Sequence, residues 1–143
     1  MGATAVRSTL NGEGLQHQDG HSLLMASTVP HCRAWDPAYA YELSTIIRHG
    51  IDEMWGKNLD VFHYVMLYNE NQQQMPKPDG SDIGIINGAY LIDEVGSEGP
   101  KVRLLGSGPI LQYVREAAQL LSTDHGVSSE VWSVTSYGEL RRF

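Results

Sequence analysis

The feature that most restricts the fold lies in the second half of the sequence. There, two β-forming runs, Val102–Leu105 and Val131–Thr135, flank a stretch with helical periodicity. Ile110, Leu111, Val114, Ala117, Ala118 and Leu121 recur on one helical face between Pro109 and Leu121, and Gly126 follows as a stop. A strand-helix-strand unit nearly always closes as a right-handed crossover between parallel strands, so the chain is expected to be α/β. A further strand is expected at Ala89–Val95. The last residues, YGELRRF, follow a buried-type strand where a doubly wound sheet would continue with another helix, so the sequence reads as ending in mid-fold. That leaves the expectation of apolar surface uncovered beyond Val131–Thr135.

The first half reads as α/β too. Asp36 and Pro37 suit a helix start, and Tyr39, Leu43, Ile46, Ile47, Ile51 and Met54 follow at helical spacing up to Gly56. Val61–Leu67 is apolar almost throughout, which predicts a strand covered on both faces. The polar segment NENQQQMPKPDGSD, with two prolines and a glycine, predicts a connection between domains. No repeat, heptad seam or low-complexity tract interrupts this reading.

Composition narrows the function classes. The net charge is -7 and the ten Lys and Arg residues are scattered, so no cationic stripe is present to neutralise a nucleic acid backbone. No apolar run approaches the roughly 20 residues that cross a bilayer, and the start lacks the apolar core of a signal peptide, which makes the cytoplasm the expected compartment. Cys32 is the single cysteine and reads as a structural thiol.

The densest set of reactive groups is Glu13, His17, Asp19 and His21, within the glycine-punctuated loop STLNGEGLQHQDGHS at residues 8–22. Glycines allow close backbone approach to a ligand, and a carboxylate with an imidazole can exchange protons near neutral pH. Such loops also cap their own turns with Asp and His side chains, so both readings stand. A metal site on His17, Asp19 and His21, with His31 and Cys32 nearby, would need a scaffold that the glycines argue against. The turn LLGSGPI joins a strand to a helix and could hold an anion at the helix N-terminus, though it lacks the third glycine or the lysine of known phosphate loops; tight turning is the simpler purpose. His63 reads as a core or interface residue with a satisfied ring nitrogen, His49 and His125 as helix-end residues, and Trp35, Tyr39, Tyr41 and Trp55 as packing around one helix.

RSTLNGEGLQHQDGHS resembles the signature loop of the homodimeric pyruvate dehydrogenase decarboxylating components, which are transketolase-like thiamin diphosphate enzymes. The resemblance continues through DPAYAYE, YNEN with its proline pair, KVRLLGSG with VREAAQLL, and VWSVTSY, covering essentially the whole chain. It implies parts of two transketolase-like α/β domains: residues 1–75 as the end of a pyrimidine-binding domain, 76–88 as a linker, and 89–143 as the start of the C-terminal domain. It implies catalytic roles for His17, contacting the substrate-derived part of the cofactor adduct, and for Glu13 beside it, with Asp19 and His21 holding the loop in shape. Thiamin diphosphate and magnesium are the cofactors it implies for the full-length parent, with pyruvate as substrate, a lipoyl-bearing dihydrolipoamide acetyltransferase as partner, and a homodimer as assembly.

Two departures qualify this. Val6 stands where a glycine is expected before Arg7, and neither the magnesium motif that opens with Gly-Asp-Gly nor the upstream activating glutamate is found. The chain alone is therefore expected to be an inactive fragment that binds no cofactor, with a non-catalytic interaction module or a metal-dependent hydrolase on His17, Asp19 and His21 as the alternatives.

Overall fold

The computed structural model describes residues 18–68 and 71–142. Glu13, His17 and Val6 lie outside the described residues. The chain is α/β, as the sequence implied, and it contains two strand-helix-strand units.

In the first unit, β1 (Cys32–Trp35) and β2 (Phe62–Val65) pair in parallel, Cys32 opposite Phe62 through Trp35 opposite Val65. Between them runs α2 (Ala40–Ile51), and the short α1 (Ser22–Ser27) precedes β1. In the second unit, β4 (Lys101–Gly106) and β5 (Ser128–Val134) are parallel and joined by α4 (Ile110–His125), while β3 (Ala89–Val95) lies antiparallel on the other side of β5. The antiparallel strand was not legible beforehand, because a period-two pattern carries no direction. The turn α5 (Tyr137–Leu140) follows β5.

Several expectations need correction. The first long helix starts at Ala40, not at Asp36–Pro37, because the free amides there are taken by Glu42: its Oε2 accepts from Ala38 N at 2.5 Å and Tyr39 N at 3.1 Å. The helix then widens into a π-turn over Asp52–Gly56, closed by Lys57 N donating to Asp52 O at 2.7 Å. The strand expected at Val61–Leu67 is shorter and is not covered on both faces, since Phe62 is 51% exposed and Leu67 47%. Trp55, assigned above to packing, is 88% exposed on the π-turn. The stretch 76–88 contains a helix, α3 (Asp82–Ile86), whose Ile85 is fully buried.

On α4, Leu111 and Ala118 are buried and Val114 packs beside them, whereas Ile110 and Ala117 lie on the exposed flank. Gly126 ends α4 in the left-handed region at φ +63°, with its amide turned back on the last carbonyls, as the sequence predicted. Val131 and Val134 are completely buried on the central strand β5, while directly beyond it Tyr137 and Leu140 of α5 are exposed, as are Ile47 and Ile51 of α2 and Leu105 of β4.

The two units share their interior. Trp35 and Ile46 from the first pack with Ile85 and Tyr90 from beyond the polar stretch, and Tyr39 joins Val95, Leu111, Ala118 and Val131. Between the two clusters sits the carboxylate of Glu42, which accepts from Tyr90 Oη and Ser133 Oγ, both at 2.6 Å. Tyr90 directs its only proton to Glu42, so Tyr41 is the donor in the 2.7 Å contact between the two phenols. Burial pushes the Tyr41 phenol up to about 12.

Candidate functional site

The described end of the glycine-punctuated loop runs directly into α1. Asp19 Oδ1 accepts from His21 N at 3.1 Å and Ser22 N at 3.0 Å, the geometry of a carboxylate clasping the turn that starts a helix. His21 is exposed, and its carbonyl accepts the first amide of the helix ladder, Met25 N, at 2.8 Å.

Behind α1 lies a cavity of about 530 Å³, walled by Leu23, Leu24 and Ser27 of α1, by Cys32, Ala34 and Asp36 at β1, and by the residues around α5. Arg142 closes one side, donating to Pro30 O and Cys32 O at 3.2 Å each and pairing with Glu139 at 3.1 Å. The Cys32 thiol is buried, and burial pushes its pKa up, which suits the structural role read from the sequence and not a nucleophile.

Asp36 is the residue of this wall that the sequence reading misplaced. Its main chain is pinned by Asp36 N donating to Thr135 O at 2.8 Å and by Gly108 N donating to Asp36 O at 3.1 Å, while its side chain accepts from Tyr68 Oη. It therefore joins β1, β5 and the turn before α4 at one point. Gly108 has φ +52°, and a Cβ there would come 2.6 Å from Asp36 Oδ1. The glycines of LLGSGPI thus admit a neighbouring carboxylate, and that carboxylate disfavours a second anion at the same helix end. No sequence signal marks this use, because Asp36 is 72 positions away from Gly108.

Among the described residues, no group of three or more His, Cys, Asp or Glu could hold a metal ion. His31 turns to Asp60, with Nδ1 at 3.1 Å, and does not act with Cys32. No helix among the described residues is long and apolar enough to cross a membrane.

A second cluster escaped the sequence reading as a unit. His63, on β2, accepts at Nδ1 from Trp35 Nε1 at 2.9 Å, which satisfies the ring nitrogen as expected. Its Nε2 lies 3.1 Å from Glu53 Oε2 on the π-turn, and His49 Nε2 lies 3.3 Å from the same oxygen. Glu53 is also 4.0 Å from Arg33, which in turn pairs with Glu139 of α5 at 3.1 Å. Burial pushes the His63 pKa down; Glu53 opposes this, and His49 and Arg33 add to it. The π-turn that brings Glu53 into line has no signature in composition or period, which is why spacing alone did not assemble the set.

Comparison with known proteins places the whole chain. Residues 1–75 match the family described as the pyruvate dehydrogenase E1 component middle domain, and residues 88–143 match the transketolase-like TK C-terminal domain. Among curated relatives, pyruvate dehydrogenase E1 components from Pseudomonas aeruginosa and Escherichia coli K12 are 54% and 48% identical over 143 residues, and that from Mycolicibacterium smegmatis is 46% identical over 145. Each match covers 99% of this chain, which spans only 16% of the relative's length. In solved structures, transketolases from Campylobacter jejuni and Leishmania mexicana superpose with TM-scores of 0.74 and 0.75 at 21% and 18% identity. These matches cover 96% and 97% of this chain and 20% and 19% of theirs, and they show the shared fold. The α/β arrangement, the order of the motifs and the match over residues 1–75 converge, and the chain belongs to the pyruvate dehydrogenase E1 component family.

Proposed function

We propose that this chain is a segment of a thiamin diphosphate-dependent pyruvate dehydrogenase, with residues 1–75 ending its pyrimidine-binding domain and 89–143 beginning its C-terminal domain across the 76–88 connection. The observation that carries this is the similarity running through 99% of the chain while spanning 16% of each relative. In the parent, thiamin diphosphate with magnesium supplies the carbanion and the electron sink for decarboxylating pyruvate. This chain contributes His17 as the proton donor facing the developing negative charge, with Glu13 orienting the imidazole. The clasp of Asp19 on the His21 and Ser22 amides supports a role for those residues in holding the loop onto α1. The acetyl group then passes to the lipoyl group of a dihydrolipoamide acetyltransferase, and the parent works as a cytoplasmic homodimer.

The segment alone turns over no pyruvate and binds no thiamin diphosphate, because the anchors for the cofactor lie in the rest of the parent. The alternative of a metal-dependent hydrolase on His17, Asp19 and His21 has less support, since the Asp19 carboxylate already accepts two backbone amides. The test is His17→Ala in the full-length parent. Turnover falls by roughly 100-fold or more, the usual contribution of a positioned acid or base, with thermal stability unchanged. Parallel loss of stability and activity overturns the assignment, as does thiamin-dependent decarboxylation by the purified 143-residue chain.

A further inference from the structure

The short helix α1 connects the loop that carries the proposed chemistry to the body of the fold, and its own side chains hold it loosely. No residue of Ser22–Ser27 is buried, and Leu24 and Met25 are mostly exposed. The described hydrogen bonds of α1 are local, within a few residues along the chain. Helices shorter than about 12–15 residues are marginal alone in water, so α1 depends on what grips its ends.

From α1 onward, the first described hydrogen bond to a residue distant in the sequence comes from Arg142, beyond α5. Its Nη1 donates to Pro30 O and its Nη2 to Cys32 O, both at 3.2 Å, while Nε lies 3.1 Å from Glu139 Oε1. All three nitrogens of the planar guanidinium are engaged, and such a fork fixes direction as well as distance. Glu139 is itself buried and paired with Arg33 of β1 at 3.1 Å, so the carboxylate that aims the guanidinium is held in place.

The two carbonyls belong to a row along one edge of β1. Toward β2, Phe62 N donates to His31 O and Met66 N to Trp35 O. The alternate carbonyls face the other edge, where Arg142 takes Pro30 O and Cys32 O and Ser136 Oγ takes Ala34 O at 2.6 Å. The residues around α5 thus stand where a further strand would lie, and Arg142 reaches past the start of β1 into the join with α1. We propose that Arg142 is a positioning residue for the reaction: by gripping Pro30 and Cys32 it sets the placement of α1, and through α1 that of the loop bearing Glu13 and His17. The role rests on His17 being the proton donor proposed for the parent, and it requires no contact of Arg142 with substrate or cofactor.

The test uses the full-length parent. Arg142→Met keeps much of the side-chain length and removes every donor. It lowers kcat by roughly 10- to 100-fold, as a small misplacement of a catalytic group does, and leaves the KM for thiamin diphosphate unchanged. Amide exchange across residues 22–31 speeds up by roughly tenfold while that of β5 stays the same. Arg142→Lys, which keeps a charge beside Glu139 without the fork, loses a smaller part of kcat and carries the same comparisons if Arg142→Met fails to fold. Added to His17→Ala, either variant costs less than about threefold more, because the group that Arg142 places is already gone. Losses that multiply in the double variant overturn the proposal, as does unchanged exchange across residues 22–31. His17→Ala with intact turnover sinks the reading of the loop itself, whereas its loss alongside normal turnover in Arg142→Met sinks only the positioning role.

Discussion

Replacing Glu42 with alanine removes one side chain that touches both units of the fold. Its carboxylate accepts from Ala38 N, Tyr39 N, Tyr90 Oη and Ser133 Oγ at 2.5 to 3.1 Å, and the residue is wholly buried. A hydrogen bond to a charged group contributes about 1.5–3 kcal/mol, so four of them summed naively give about 6–12 kcal/mol, comparable to the whole stability of a domain at about 5–15 kcal/mol. The sum overcounts, because the four donors share one desolvated carboxylate. Truncating one partner of a buried charged network costs about 3–5 kcal/mol. For a chain of this length, about 1 kcal/mol corresponds to roughly 2–4 °C, which places the melting temperature some 6–20 °C lower.

Urea unfolding followed by circular dichroism reads the loss directly, with Ser133→Ala as the internal control. Ser133 contributes a single bond to the Glu42 carboxylate, so its removal costs about 1.5–3 kcal/mol. A cost below about 1 kcal/mol for Glu42→Ala, or one no larger than that of Ser133→Ala, refutes the claim that a shared carboxylate ties the two units together.

Other perturbations separate the effects at work elsewhere in the chain. Gly108→Ala combines a left-handed φ with a Cβ placed against Asp36 and Tyr68, and destabilises by about 2–4 kcal/mol in the same unfolding assay. Gly126→Ala, with a similar φ but open space around it, costs only about 1 kcal/mol. Lys101 and Arg103 hold the Glu130 carboxyl down at about 2; in the double variant Lys101→Met, Arg103→Met, carbon-13 NMR should find it titrating near the ordinary carboxylate range. Because the folded state depresses the His63 pKa, the unfolded chain binds the extra proton first as the pH falls below about 6.5, so stability declines with acidification there. Denaturation midpoints measured between pH 7.5 and 5.5 should show that decline in the wild-type chain and a shallower one in His63→Gln.

The elements that were legible in the sequence are those whose own residues determine them. α4 has a complete apolar face and a glycine stop, and β3 and β5 have runs of β-formers that end up against that helix. β1 was missed because CRAW is four residues long and holds a charged side chain, so no period can be read from it. The start of α2 was misread for a related reason. Asp36 and Pro37 carry the local signature of a helix start, but Asp36 is drawn away by Tyr68 and the Gly108 turn, and Glu42 satisfies the amides from inside the helix. The acidic and imidazole loop was singled out by its residue types and then by its resemblance, and its Glu13 and His17 lie outside the described residues. The His63 cluster was legible only one residue at a time, since its four members come from β1, α2, the π-turn and β2.

The boundary between the two family domains carries a physical consequence of its own. A linker between independent domains ordinarily leaves few contacts crossing it. Here Ile85 of α3, within the 76–88 stretch, is buried with Trp35 and Ile46, and Glu42, Asp36 and Glu139 each bond across the division. A carboxylate buried between two units couples them, because while one unit stays folded the loss of the other leaves its buried partners without their acceptor. Separation of the halves would strip acceptors from Tyr90, Ser133, Gly108 and Arg33 together. The two halves should therefore unfold in one transition, with denaturant curves for residues 18–68 and 89–142 superimposing when each is followed by its own tryptophan signal, Trp35 and Trp132. Two resolved transitions would mean that these bonds follow docking and do not govern it.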